Sequence, residues 1–307
     1  MSLDKNAAAP DLSHLIPSMR TAAVLENPER LERIRADRWI GYPRAHEALR
    51  KLEALLTSPP RLRMPNLLIV GSTNNGKSMI IEKFRRAHLS NPSEEADHET
   101  IPIVVMQMPS EPTVARFYAL LMAQLGAPFR LHVRVADIEH QALRILRAVG
   151  VRILVIDELH NMLVGRQSTQ REFLNLIRFL GNELQIAIVG VGGREAYLAI
   201  RSDDQLENRF EPMVLPLWRE DADYSSLLAS FAAVLPLRRR SEIDRPEIAR
   251  YVLQKSEGTI GEIATLLTRA AIAAIETGEE AITPSTLRLA TYESPTERRR
   301  VFERELT

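Results

Sequence analysis

The amino-acid sequence predicts an α/β protein in which a parallel five-stranded sheet flanked by helices precedes a smaller all-α domain. Three observations carry this expectation. Near-continuous apolar runs alternate with helical stretches between Leu67 and Leu217, the pattern of parallel strands covered on both faces. A glycine-bounded loop, Gly71-Ser72-Thr73-Asn74-Asn75-Gly76-Lys77-Ser78, stands directly behind the first of those runs. After Trp218 the strand signals stop and only helical spacings follow.

Taken in order, residues 1–38 are polar, carry Pro10, Pro17 and Pro28, and read as an extended N-terminal arm with one short helix near Pro28–Arg38. Trp39-Ile40-Gly41-Tyr42-Pro43 leads into a helix over Ala45–Leu56, with Ala48, Leu49, Leu52, Leu55 and Leu56 at helical spacing, which Ser58-Pro59-Pro60 ends. Leu67–Val70 is the first strand, Met79–His88 a helix and residues 90–100 a polar loop. Ile101–Met108 is a second strand and Thr113–Leu125 a helix. Ala136–Val149 is another helix, with Ile138, Ala142, Leu143, Ile145 and Leu146 as its apolar stripe. Val151–Ile156, Ile186–Val191 and Met213–Leu217 are three further strands, and Gln170–Leu184 is a helix. Helices over Asp221–Leu235, Pro246–Ser256, Ile260–Thr277 and Pro284–Tyr292 complete the chain. The expected domains are an arm (1–38), an α/β domain (39–217), a helical domain (218–292) and a tail (293–307).

At 307 residues the chain can bury a sizeable core, and its 45% hydrophobic and 26% charged fractions are those of a soluble globular protein. Lys plus Arg equals Asp plus Glu at 40 each, which argues against a protein that simply coats nucleic acid but leaves room for local basic patches. Without cysteine, disulfides and thiolate metal sites are excluded, and a reducing cytoplasm fits. The N-terminus lacks a signal-peptide layout, and the apolar runs are too short to cross a bilayer, so no membrane partner is expected.

Residues 71–78 match G-x-x-x-x-G-K-[ST] in its required setting of strand, loop and helix start. The glycines let the backbone wrap a phosphate, and the helix N-terminus supplies positive potential. Lys77 reaches the β- and γ-phosphates, Ser78 places its hydroxyl on Mg²⁺, and Met79 opens the helix behind them. A triphosphate site needs an acid on a second strand for hydrolysis. Arg152-Ile153-Leu154-Val155-Ile156-Asp157-Glu158 delivers two carboxylates to a strand's C-terminal end, where ligands of open α/β sheets sit. Asp157 would hold Mg²⁺, and Glu158 would orient and deprotonate the attacking water.

Asn208-Arg209-Phe210 precedes the fifth strand, and an arginine there could reach a γ-phosphate held by a neighbouring subunit. The plain reading is a surface arginine paired with Glu207 or Glu211, which spacing alone favours. Arg201 is a second candidate. His160 reads as a loop residue, since the seven histidines show no metal-ligand spacing.

Together these elements resemble the AAA+ ATPases, and more narrowly the TniB family of transposition ATPases related to TnsC, over about residues 30–292. The resemblance rests on Arg38 to Pro43, on Arg63-Met64-Pro65 running through the strand into Asn75-Gly76-Lys77-Ser78, and on Ile156-Asp157-Glu158-Leu159-His160-Asn161. Leu206-Glu207-Asn208-Arg209-Phe210 and Glu257-Gly258-Thr259-Ile260-Gly261-Glu262 complete it. It implies ATP and Mg²⁺ as cofactors and oligomerisation on double-stranded DNA as a ring or helical filament. It further implies recruitment of a DDE transposase, with a TniQ-like targeting protein as another partner, and hydrolysis that disassembles the assembly. Trp39, Ile40 and Tyr42 would line the adenine pocket, Gly261 would open the lid helix near the nucleotide, and Arg209 would be a trans-acting finger. Thr113, Arg116, Arg130 and Arg134, with His132, lie around helices that face the central pore in DNA-encircling relatives. Further basic clusters stand at Arg238-Arg239-Arg240 and Arg298-Arg299-Arg300.

Two departures mark this chain. The fourth strand ends Ile188-Val189-Gly190-Val191-Gly192-Gly193, with no polar sensor at its tip, and the lid helix offers Gly261-Glu262 where many AAA+ proteins place an arginine. Both point to slow, regulatory hydrolysis. The alternatives are an IstB-like or replication-loader helper, or a signalling or secretion ATPase with no DNA role.

Overall fold

The structure, a computed structural model, describes residues 11–89, 100–128, 134–164 and 166–306. Arg130 and His132 lie outside the described residues. The chain divides into two compact units, residues 44–216 and residues 1–43 with 217–307.

Helices α1 (Pro17–Ala23) and α2 (Asn27–Arg35) open the chain, followed by α3 (Pro43–Thr57), β1 (Asn66–Gly71) and α4 (Lys77–Ala87). Next come β2 (Ile103–Gln107), α5 (Val114–Gln124), α6 (Val135–Ala148) and β3 (Ile153–Asp157). A 3-10 turn over Leu159–Leu163 leads to α7 (Gln167–Leu184), β4 (Ala187–Gly192), α8 (Arg194–Arg201), α9 (Asp204–Glu207) and β5 (Phe210–Leu215). The helical unit then adds α10 (Ala222–Val234), α11 (Pro246–Lys255), α12 (Ile260–Glu276), α13 (Pro284–Leu289) and α14 (Pro295–Glu305).

The five strands form one sheet in the order β2-β3-β4-β1-β5, every pair parallel. β1 and β4 bury every residue, which is why their sequences are continuous apolar runs. Asn66 is the polar exception: its Oδ1 accepts from the Ile188 amide at 2.9 Å and closes the ladder between β1 and β4. β5 starts at Phe210, three residues earlier than the apolar pattern suggests. It is an edge strand whose Glu211 and Pro212 are both exposed, so the apolar run is broken there and a proline is tolerated.

The core of this unit combines the buried stripes of α5, α6 and α7 with one face of the sheet. β4 is threaded with glycine for a steric reason. A Cβ on Gly190 would lie 2.6 Å from Leu159 Cδ2 and 2.8 Å from Leu68 Cδ1, so the glycine lets the turn after β3 seat on the sheet.

The helical unit contains two N-terminal helices where the sequence suggested one. Arg30, on α2, is fully buried. Its Nη1 donates to Glu280 Oε1 at 2.8 Å, its Nη2 to Glu280 Oε2, and Nη2 also to the Pro236 carbonyl at 3.0 Å. Charge, donors and carbonyls are therefore all satisfied in one cluster, which ties the N-terminal helices into this unit. No single helix among the described residues is long and apolar enough to cross a membrane.

Candidate nucleotide site

β1 runs straight into the glycine-bounded loop. Asn74 and Gly76 adopt left-handed backbone (φ 59° and 82°), and Gly76 hands the chain to α4, whose first residue is Lys77. The Asn75 side chain donates to the Leu215 and Pro216 carbonyls at 2.9 and 3.0 Å, fixing the loop to the end of β5. The loop is thus fastened to the end of the neighbouring strand β5.

Lys77 is buried, and its ammonium donates to the carbonyls of Gly71 and Ser72, both at 2.8 Å. Burial pulls its pKa below the ordinary lysine value, while the charges of Glu158 and Asp157 oppose that shift. A desolvated cation held over loop carbonyls is prepared for an anion of higher charge density, such as a phosphate oxygen. Ser78 Oγ donates to Asp157 Oδ2 at 2.9 Å, so the two residues expected to share a metal are brought together. A hydroxyl and one carboxylate suit Mg²⁺, a hard ion that keeps waters and takes phosphate oxygens rather than an all-protein cage. Among the described residues no group of three or more His, Cys, Asp or Glu is placed to hold a metal ion.

Asp157 closes β3, and its Oδ1 accepts from the Glu158 amide at 2.8 Å. Glu158 itself stands in the left-handed region (φ 51°, ψ 39°), a conformation uncommon for a residue with a side chain, and it turns the chain into the 3-10 segment. Beside it, Gln107 at the end of β2 pairs in register with Asp157, a polar neighbour that spacing did not single out.

The remaining candidates fall elsewhere. Arg209 precedes β5, and its carbonyl accepts from the Asn66 amide at 2.9 Å, at the start of β1. Lys77 follows the other end of β1, so the six-residue strand separates them by roughly 20 Å. Arg209 cannot act on a phosphate held at Lys77 of its own chain. Its Nη1 donates to Asn182 Oδ1 at 2.7 Å. Partial burial and the nearby guanidiniums of Arg63 and Arg178 pull it below its ordinary pKa, against the charge of Asp203. The acids that spacing favoured as its partners are engaged elsewhere: Glu207 pairs with Arg201 at 2.9 Å and Glu211 with Lys51. Arg201, the second candidate, is thereby committed and also covers the Tyr197 ring.

Trp39, Ile40, Tyr42 and Gly261 fall in the helical unit. There Tyr42 packs edge-on against Trp218, ring centroids 5.1 Å apart, and its burial pushes the phenol up to about 12. Trp218 served the sequence reading only as a boundary marker, because a stacking partner far along the chain leaves no local pattern. Glu262, at the position that lacks an arginine, accepts from Arg298 Nη2 and from Tyr292 Oη, both at 2.7 Å. Arg298 is therefore committed to holding α14. Arg238 likewise turns inward, donating to the carbonyls of Ala23 and Leu25, while Arg239, Arg240, Arg299 and Arg300 are exposed. Thr113 caps α5, accepting from the Arg116 amide at 3.2 Å; Arg116 and Arg134 are both exposed at helix N-termini.

Comparison with known proteins agrees with this geometry. The family model described as bacterial TniB protein matches residues 30–220. No curated relative matches the chain. Among solved structures, the fold is similar to the Aeropyrum pernix ORC2 protein in its ADPNP–ADP complexes (TM-score 0.57, 17% identity, 85% of this chain and 71% of that chain). It is also similar to Cdc6p from Pyrobaculum aerophilum (0.57, 16% identity, 84% and 69%) and to Drosophila ORC bound to DNA (0.53, 13% identity, 95% and 69%). The fold is that of the AAA+ ATPases.

Proposed function

The chain belongs to the bacterial TniB family, and from that premise we propose that it is a Mg²⁺-dependent ATPase of DNA transposition that assembles on double-stranded DNA. In the ATP-bound state it oligomerises along the duplex as a ring or filament, marks the target, and recruits a DDE transposase, with a TniQ-like protein as a further partner. Hydrolysis then releases the assembly. The observation that carries this reading is the distribution of the site over the sheet. Lys77, Ser78, Asp157 and Glu158 gather at one end of the strands and Arg209 at the other. A catalytic arginine at Arg209 then requires a second copy of the chain, and hydrolysis is coupled to assembly.

Lys77 grips the terminal phosphates, Ser78 and Asp157 hold the metal, and Glu158 positions water. The family resemblance assigns the adenine base to Trp39, Ile40 and Tyr42, with Gly261 nearby, and DNA backbone contacts to Thr113, Arg116, Arg130 and Arg134. Two of the similar structures are of DNA complexes, an ORC1 and an ORC, which supports a DNA partner. The missing strand-tip sensor and the commitment of Glu262 to Arg298 support slow turnover suited to a timer.

The test is co-sedimentation of the chain with duplex DNA under a non-hydrolysable ATP analogue, ADP or no nucleotide. DNA-dependent pelleting with the analogue alone is expected. Pelleting that ignores nucleotide, or none at all, would remove the coupling.

A further inference from the structure

His160 was expected to be an ordinary loop residue, yet it stands beside the proposed water-activating carboxylate. Its Nε2 lies 3.3 Å from Glu158 Oε2. Its Nδ1 is buried and has no hydrogen-bond partner. An Nδ1–H would bury a donor with no acceptor, so the ring proton belongs on Nε2, which lies within 3.3 Å of the Glu158 carboxylate.

The ring is placed by the strand next door. Gly190 and Gly192 fall on the face of β4 against which the turn after β3 packs, and a side chain at Gly190 would fill the room that Leu159 now occupies. A Cβ on Gly192 would come within 3.5 Å of His160 Nδ1 and 3.6 Å of the Leu159 amide, and 2.8 Å from Ala196 Cβ. The tip of β4, which carries no polar side chain, thus lies in ordinary van der Waals reach of the imidazole, while Gly190 makes room for the neighbouring Leu159. The turn is anchored on both sides of His160: Leu159 and Met162 are fully buried, and Asn161 Nδ2 donates to the Met108 carbonyl at 3.0 Å, at the end of β2.

We propose that His160 is the positioning residue for Glu158, supplying from the β3 loop the polar group that the tip of β4 lacks. Its Nε2–H holds the Glu158 carboxylate in one orientation, with one oxygen engaged and the other left to accept a proton from water. Such a group acts through its neighbour, so it governs turnover and leaves nucleotide affinity alone. The inference rests on the reading of Lys77 to Glu158 as an ATP-hydrolysing site.

The experiment measures kcat and KM for ATP with Mg²⁺ and duplex DNA, alongside binding of a fluorescent ATP analogue. The proteins are the wild-type chain, Glu158→Gln, and three variants at position 160. His160→Ala is expected to lower kcat about 10- to 100-fold, the usual effect of losing an outer-shell orienting group, with KM and analogue affinity unchanged. His160→Phe fills the same space without a donor and should be as slow as the alanine variant. His160→Gln carries an N–H near the Nε2 position and should recover most of the rate. Should His160→Ala fail to fold, the Phe and Gln pair carries the comparison, with equal melting temperatures as its control. A phenylalanine variant as fast as wild type overturns the role, as does a glutamine variant no faster than phenylalanine. A wild-type chain that binds the analogue but hydrolyses no faster than Glu158→Gln contradicts the ATPase reading itself, and this proposal with it.

Discussion

Ser78 Oγ and Asp157 Oδ2 are joined by a 2.9 Å hydrogen bond between residues 79 apart in sequence, the second of α4 and the last of β3. That bond marks where the divalent ion is expected, between a hydroxyl at the start of α4 and a carboxylate at the end of β3. Chelation with EDTA should abolish hydrolysis, and Asp157→Asn should do the same at saturating ATP. Readout is phosphate release; turnover that persists in EDTA would contradict the assignment.

Lys77 is the buried cation whose partners, the Gly71 and Ser72 carbonyls, are neutral. Lys77→Ala should weaken ATP affinity by roughly 10- to 100-fold, the value of a hydrogen bond to a charged group being about 1.5–3 kcal/mol. Isothermal titration checks it. The thermal stabilisation by ATP, about 2.7 kcal/mol when ligand stands at 100 times the wild-type Kd, should fall to about 0.4–1.4 kcal/mol at the same ATP concentration.

The fully buried Arg30 and the partly buried Glu280 form an ion pair within the helical unit, across 250 residues of sequence. Arg30→Ala leaves a partly buried carboxylate without its counter-ion, held only by the Arg238 amide, and should cost up to about 3 kcal/mol in urea unfolding. Arg30→Met with Glu280→Gln should recover most of it, because no charge is then buried. Burial pushes the Glu280 carboxyl up, but the hydrogen bonds from the Arg30 side chain and the Arg238 amide outweigh it and hold Glu280 below its usual range. The sign follows: a depressed carboxylate stabilises the fold above its unfolded value of about 4.3, and that contribution fades as pH falls through the lower folded value. Glu280→Gln should flatten the acid limb of the stability profile.

Charge reversal at Arg116 and Arg134, both exposed, should weaken duplex binding in a sequence-independent way. Each lost phosphate contact should reduce the slope of log affinity against log salt by about 0.9. Fluorescence anisotropy across a salt series reads both, and an unchanged slope would remove these residues from the interface.

Much of this was legible in the sequence, and what was not has identifiable causes. Buried parallel strands announce themselves as apolar runs, and the phosphate loop carries its chemistry in eight contiguous residues, so β1, β3, Lys77 and the Asp157–Glu158 pair could be read directly. β5 was read late because an edge strand holding Glu211 and Pro212 loses the apolar signal. The partners Arg30–Glu280 and Tyr42–Trp218 are set by tertiary packing and leave no periodicity. His160 carries no signal of its own in the sequence, because the burial of its Nδ1 and the approach of its Nε2 to Glu158 are set by how the turn after β3 packs.

The central claim is that the nucleotide site at Lys77 is completed by Arg209 of another copy on DNA. Arg209→Ala alone should bind ATP normally yet lose about 10³- to 10⁵-fold of its hydrolysis, and Glu158→Gln alone should be inactive. The decisive measurement mixes these two inactive chains with duplex DNA and follows phosphate release. The account predicts that hydrolysis reappears in the mixture, dependent on DNA, because intact Glu158 sites meet intact Arg209 side chains across interfaces. A mixture as silent as its two components, or an Arg209→Ala chain as fast as wild type, would contradict it.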